Sequence, residues 1–185
     1  LGGSLSIETV YQTNSDYFVW ISTFVILSFA AVVLLGKLMG VTEKLSFLIA
    51  SGTAICGGTA VSSVAPSIKA KPEELTTAIT IIFLLNAIAV LAFPLSNKYL
   101  ELDDVQFGAW VALAIHDTAS VVGAASSVGE ISVEIAATLK VARTIWIVPL
   151  VIFSAWVYRS KNERFGLPLF VIFFILAALL NSALE

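Results

Sequence analysis

The chain has 185 residues, 58% hydrophobic and only 12% charged, with a mean hydropathy of +0.97. Ordinary globular domains carry about twice that share of charge, and a soluble protein this apolar lacks the polar side chains to cover its surface, so the solvent to expect is lipid. A net charge of −3 without any basic run excludes a nucleic-acid partner. The single cysteine and single histidine exclude an intrachain disulfide and leave too few His/Cys ligands for a metal site.

Charge-free stretches mark the membrane segments, since a helix needs about 20 apolar residues to cross the hydrocarbon. The start, Leu1-Gly2-Gly3-Ser4-Leu5, reads as the tail of a preceding membrane segment, and no signal-peptide pattern is visible. The expectation is one transmembrane domain, residues 1–185, cut from a longer transporter and lacking segments at both ends. Six segments follow: A (17–36), B (45–68), C (75–97), D (105–128), E (133–158) and F (165–183). The fold class is an all-α polytopic bundle. Trp20, Tyr17, Tyr99, Trp110, Trp156 and Tyr158 lie near segment ends, as an aromatic belt requires.

Segments A, C and F read as plain scaffold helices, and Asn86 in C reads as interhelical glue. Segment B differs. Its run Ser51-Gly52-Thr53-Ala54-Ile55-Cys56-Gly57-Gly58-Thr59 is a poor continuous helix, because each interior glycine costs about 1 kcal/mol against alanine. Unwound backbone in a bilayer needs cover from protein or a water-filled cavity. One reading is a discontinuous helix whose second half directs backbone N–H groups at an anion. The plainer reading is close helix packing through small residues. Cys56 reads as a small packing residue.

Segment D carries His116-Asp117 in mid-span. An aspartate there costs about 2.5–3.5 kcal/mol on insertion scales. Burial disfavours the charged form of both groups, which suits proton coupling; the plainer reading is a structural polar pair. Segment E carries Lys140 and Arg143 on one helical face, followed by Pro149, which removes a backbone donor and predicts a kink or local opening. The two cations suit a small dianion, or else snorkel to the interface, with Glu130 and Glu134 as counter-ions.

If every segment crosses, alternate loops share a side. Lys37, Lys44, Lys98, Arg159, Lys161 and Arg164 then face Lys69 and Lys71 across the membrane, and the richer side is cytoplasmic. A re-entrant hairpin in place of one span inverts everything after it. Segments B and D, separated by C, run parallel on this scheme and cannot be inverted partners of each other.

The segment B run followed by Ala65-Pro66-Ser67-Ile68-Lys69-Ala70, then Ile115-His116-Asp117-Thr118-Ala119, then Lys140 and Arg143 ahead of Pro149, resembles in that order the motifs of the YeiH-like sulfate exporter family of bacterial inner-membrane proteins. Here the acid after the histidine is aspartate, where glutamate is expected in some relatives. The resemblance covers nearly the whole chain and roughly the middle half of a typical member. It implies inverted repeats with discontinuous helices at the centre, here in segments B and D. It also implies a site partly outside this chain.

The expected function is secondary transport of a small anion, sulfate or a sulfonate, across the inner membrane, with no cofactor and no enzymatic role. Ser51, Thr53, Cys56, Gly57, Gly58, Thr59, Lys140 and Arg143 are the expected anion-binding residues, and His116 and Asp117 couple protons or gate. The partners are the anion and the bilayer, with homo-oligomerisation open. The alternatives are an anion channel, which needs a continuous polar face, or an intramembrane enzyme using Cys56 or a serine with His116 as base.

Overall fold

The computed structural model describes residues 7–158, with side chains from Phe18 onward. These form α1 (Ile7–Leu38), α2 (Glu43–Ala54), α3 (Gly58–Val64), α4 (Pro72–Leu100), α5 (Asp104–Ala114), α6 (Thr118–Ala125), α7 (Glu130–Thr144) and α8 (Ile147–Val157). The all-α class holds, and segments B and D are both broken near the middle. Among the described residues three stretches are long and apolar enough to cross a membrane: Phe18–Leu38, Pro72–Leu100 and Glu130–Val157. They correspond to segments A, C and E. Segment F lies outside the described residues, as do Arg159, Lys161 and Arg164.

Segment B does not cross. Gly40, at a φ of 71°, turns the chain out of α1, and Thr42 caps α2, its hydroxyl accepting from Leu45 N at 3.4 Å. That hydroxyl also donates to Glu74 Oε1 at 3.1 Å, and Lys44 Nζ donates to Lys69 O at 2.7 Å. The start of α2 thus lies beside the start of α4, on one face of the bundle, called face I here. Between them α2 runs inward, the chain reverses, and α3 runs back beside it. A Cβ on Gly52 would lie 2.8 Å from Val61 of α3 and 2.8 Å from Ile82 of α4. The glycines of segment B therefore serve a close approach of helices as well as a break.

Segment D repeats this from the other side. At 1.5 Å per residue, the 29 residues of α4 extend roughly 43 Å, more than the hydrocarbon thickness of about 30 Å, so α5 begins on the opposite face, face II. Asp103 caps α5 in a reciprocal box with Gln106. A Cβ on Gly129 would lie 2.5 Å from Asp104 Oδ2, and one on Gly108 would lie 2.6 Å from Ser132 O. The chain has returned to face II before α7 starts, and α7 then runs beside α5. Its path is interrupted at Ile145-Trp146, four and three residues before Pro149, whose missing N–H leaves Ile145 O without its helical donor. α8 ends on face I, where the Tyr158 and Phe47 rings are 5.5 Å apart.

Two expectations are corrected by this topology. Because B and D each enter and leave by one face, a single crossing by α4 separates them. They therefore point in opposite directions and are inverted partners within this chain. The first unit is α2–α3–α4 and the second α5–α6–α7. The loop charges also move. Lys69 and Lys71 join Lys37 and Lys44 on face I, and Lys98 goes to face II with Glu101, Asp103, Asp104 and Glu130.

Candidate functional site

The entering arms α2 and α5 have 12 and 11 residues, or roughly 18 and 17 Å. Entering from opposite faces, they bring both tips to about half the depth of a 30 Å core. The breaks match in length: Ile55-Cys56-Gly57 separates α2 from α3, and Ile115-His116-Asp117 separates α5 from α6. The local sequences also match, Ala54-Ile55-Cys56 against Ala114-Ile115-His116, each followed shortly by Thr-Ala at 59–60 and 118–119. Ile55 and Ile115 are buried. The tips touch: a Cβ on Gly57 would sit 3.4 Å from His116 C and O. Gly57 has φ 67° and ψ −129°, a conformation open essentially to glycine alone.

A helix that ends inside a bilayer leaves carbonyls that need donors. For α2, Ser51 O accepts from Ile55 N at 3.2 Å and Gly52 O from Gly57 N at 2.9 Å. The remaining two go to one side chain: Thr53 O accepts from Arg143 Nη2 at 2.9 Å and Ala54 O from Nε at 3.2 Å. The same guanidinium serves α5, with Nη1 donating to Ala112 O at 2.7 Å and Leu113 O at 2.9 Å. Lys140 Nζ donates to Ile115 O at 2.7 Å. Arg143 thus caps the C-terminal ends of both entering arms, and its planar fork is what allows one residue to reach four carbonyls. The Phe24 ring of α1 lies over it, 5.2 Å from Cζ to centroid.

Both cations are fully buried. Among the described residues neither is in an ion pair, and every hydrogen-bond acceptor given above for them is a neutral carbonyl. Asp117 is the carboxylate near enough to act on Lys140. It is engaged already, since its Oδ2 accepts from Ser120 N and Ser120 Oγ, both at 2.9 Å, as the N-cap of α6. Two basic side chains and one carboxylate thus meet at mid-depth, an arrangement that is costly in a membrane and marks functional sites by default.

The structure brings Cys56, Gly57, His116, Asp117, Lys140 and Arg143 to one place. Thr53 takes part through its carbonyl. Cys56 is buried, close to Thr59 and Ala60. Gly58 opens α3 and packs on Phe83. Ser51 is buried with its hydroxyl donating to Phe47 O at 2.6 Å, and the Thr59 side chain is exposed. Asn86 of α4, read from the sequence as interhelical glue and left out of the expected site, joins α4 to the second tip: its Oδ1 accepts from His116 N at 3.0 Å. The signal was its isolation in an apolar helix.

The sequence profile of the Conserved hypothetical protein 698 family matches residues 1–185. The chain is similar to the UPF0324 membrane protein of Porphyromonas gingivalis, 46% identical over 167 residues, covering 87% of this chain and 51% of the relative. The Bacteroides thetaiotaomicron protein of that name is 40% identical over 166 residues, covering 87% of this chain and 50% of the relative. The Geobacter sulfurreducens relative is 43% identical over 188 residues, covering 100% of this chain and 59% of the relative. The chain spans about half the length of the curated relatives it matches. No solved structure matches it.

Proposed function

Because the chain belongs to the Conserved hypothetical protein 698 family of UPF0324 membrane proteins, the YeiH-like family, we propose that it carries the hairpin core of a multi-pass inner-membrane secondary transporter for a small anion. The substrate class is sulfate or an organic sulfonate, and protons are the coupling ion. The observation that carries this reading is the pair of buried cations, Lys140 and Arg143, where two oppositely directed hairpins meet. Discontinuous helices meeting near the midplane at the interface of inverted repeats are where secondary transporters place substrate. Hairpins entering from opposite faces also supply one gate on each side, as alternating access needs. Transport is favoured over an enzymatic role, since among the described residues the polar groups at the tips bind and cap backbone.

In this reading Arg143 holds the two tips together and Lys140 presents charge to the anion, with His116 and Asp117 on the second tip coupling protons. Face I, with Lys37, Lys44, Lys69 and Lys71, is cytoplasmic by the positive-inside bias. The test is uptake of labelled sulfate and methanesulfonate by the full-length protein in proteoliposomes. Lys140→Gln keeps a donor for Ile115 O and removes the charge. Its expected phenotype is a folded, monodisperse protein with uptake near background. Wild-type uptake by that variant would sink the site.

A further inference from the structure

We propose that Asn86 binds the transported anion directly, through the half of its amide that the protein leaves unused; this rests on the anion-transporter reading above. Asn86 lies within α4, among Leu84, Leu85, Ala87 and Ile88, and is 2% exposed. The orientation of its amide is fixed by chemistry: the atom facing His116 N must accept, because a backbone N–H can only donate. Oδ1 therefore holds the second tip. Nδ2, bonded to the same carbon, is a buried donor without a partner. Such an orphan costs free energy wherever it is buried, and more in a bilayer.

The place of this orphan is informative. Among the described residues the other buried side-chain atoms without partners are Ser46 Oγ, Ser67 Oγ, Ser132 Oγ and His116 Nδ1. Ser46 sits against Gly36 and Ser132 against Gly108 at helix contacts, and Ser67 lies in the turn before α4. Only Asn86 and His116 leave atoms open at the tips, and they are joined to each other by the Oδ1 hydrogen bond. Asn86 is the fifteenth residue of α4, and Arg143 the fourteenth of α7. The two inverted units thus each send hydrogen-bonding side chains to the tips, Asn86 from α4 and Lys140 and Arg143 from α7. Arg143 spends its donors on four carbonyls, whereas Asn86 retains two N–H groups. Lys140 and Asn86 bond the two edges of one peptide group, Ile115 O and His116 N. The tip thus offers a charged and a neutral donor across that peptide, and the oxygens of a small oxyanion accept from both kinds of N–H.

Asn86→Asp tests this, because it keeps an acceptor for His116 N and turns the free donor into an acceptor. In full-length protein, the midpoint of thermal unfolding with and without sulfate is measured beside sulfate uptake in proteoliposomes. The expected result is no sulfate-induced rise above the variant's own sulfate-free midpoint, and uptake lowered about tenfold or more, the scale of one lost charge-assisted hydrogen bond. Asn86→Leu is neutral and similar in volume. Loss of the sulfate response there, judged against its own sulfate-free midpoint, separates the missing donor from the added charge. A sulfate response within about threefold of wild type in either variant overturns the assignment and leaves Asn86 as a structural cap. Wild-type protein that neither binds nor carries sulfate or methanesulfonate takes down the transporter reading and this one together.

Discussion

The two inverted units share a backbone plan and differ in what their crossing helices bring to it. α4 and α7 each start beside the mouth of their own hairpin and pass both tips. α4 meets the tips with Ile82, Phe83 and Asn86, and α7 with Lys140 and Arg143. The difference extends to the tips. The second half of the first hairpin begins at Gly57, without a side-chain cap and in a conformation that asks for glycine, whereas the second begins at Asp117, a hydrogen-bonded cap. The backbone symmetry places two helix breaks back to back, and the side-chain asymmetry puts the charge on one unit. The lesson is that a matched backbone plan brings two breaks together, and unmatched side chains give the meeting point its chemistry.

The largest test of that comparison is topological and all-or-none. Single cysteines replacing Lys44 and Lys71 in an otherwise cysteine-free full-length protein should label from the same side of the membrane with an impermeant maleimide. A cysteine replacing Lys98 should label only from the other. Labelling of Lys44→Cys and Lys71→Cys from opposite sides would show that segment B crosses, and the inverted relation would be lost with it. Next in size is Arg143→Ala. It removes the donors of four carbonyls at mid-depth, each worth about 1–3 kcal/mol when orphaned, and leaves the two tips untied. The expected loss is about 3 kcal/mol or more, as for breaking one side of a buried charged network, measured by unfolding in mixed micelles. Arg143→Lys should recover only part of it, because an ammonium is a point donor that cannot span both hairpins.

Much of this was legible in the residues, and the missing part has a physical cause. The glycine run of segment B and the ionisable pair of segment D each violate what a membrane helix tolerates, and both violations coincide with breaks in the structure. Pro149 announced the interruption at Ile145-Trp146 in the same way. Re-entry was not legible, because a broken crossing and a hairpin contain the same apolar residues and differ only in the direction of the second half. That direction is recorded in contacts between distant residues, Thr42 with Glu74 and Asp104 beside Gly129, which no local pattern encodes. Arg143 and Lys140 were visible as cations on one face. That Arg143 is spent on carbonyls depends on where α2 and α5 end, and so on the same long-range fact.

The smallest test exchanges the two tip solutions. Gly57→Ala adds a Cβ 3.4 Å from His116 C and O at a backbone conformation costing about 1–3 kcal/mol for a residue with a side chain. Asp117→Ala, the corresponding change in the second hairpin, removes a cap worth about 1 kcal/mol, and taking a carboxylate out of the bilayer offsets the attraction to Lys140 that it gives up. The first substitution should therefore lower the unfolding midpoint more than the second, the reverse of what the cost of a charge in the membrane alone suggests. Asp117→Asn goes one step further, since an amide oxygen can still accept from Ser120 N and Ser120 Oγ and stability should stay within about 0.5 kcal/mol of wild type. If the carboxylate has a second use in carrying a proton, sulfate uptake by Asp117→Asn should stop responding to an imposed pH gradient while the protein remains as stable as before. Stability and gradient response both retained would assign Asp117 to capping alone and leave His116 as the titratable group of the tips.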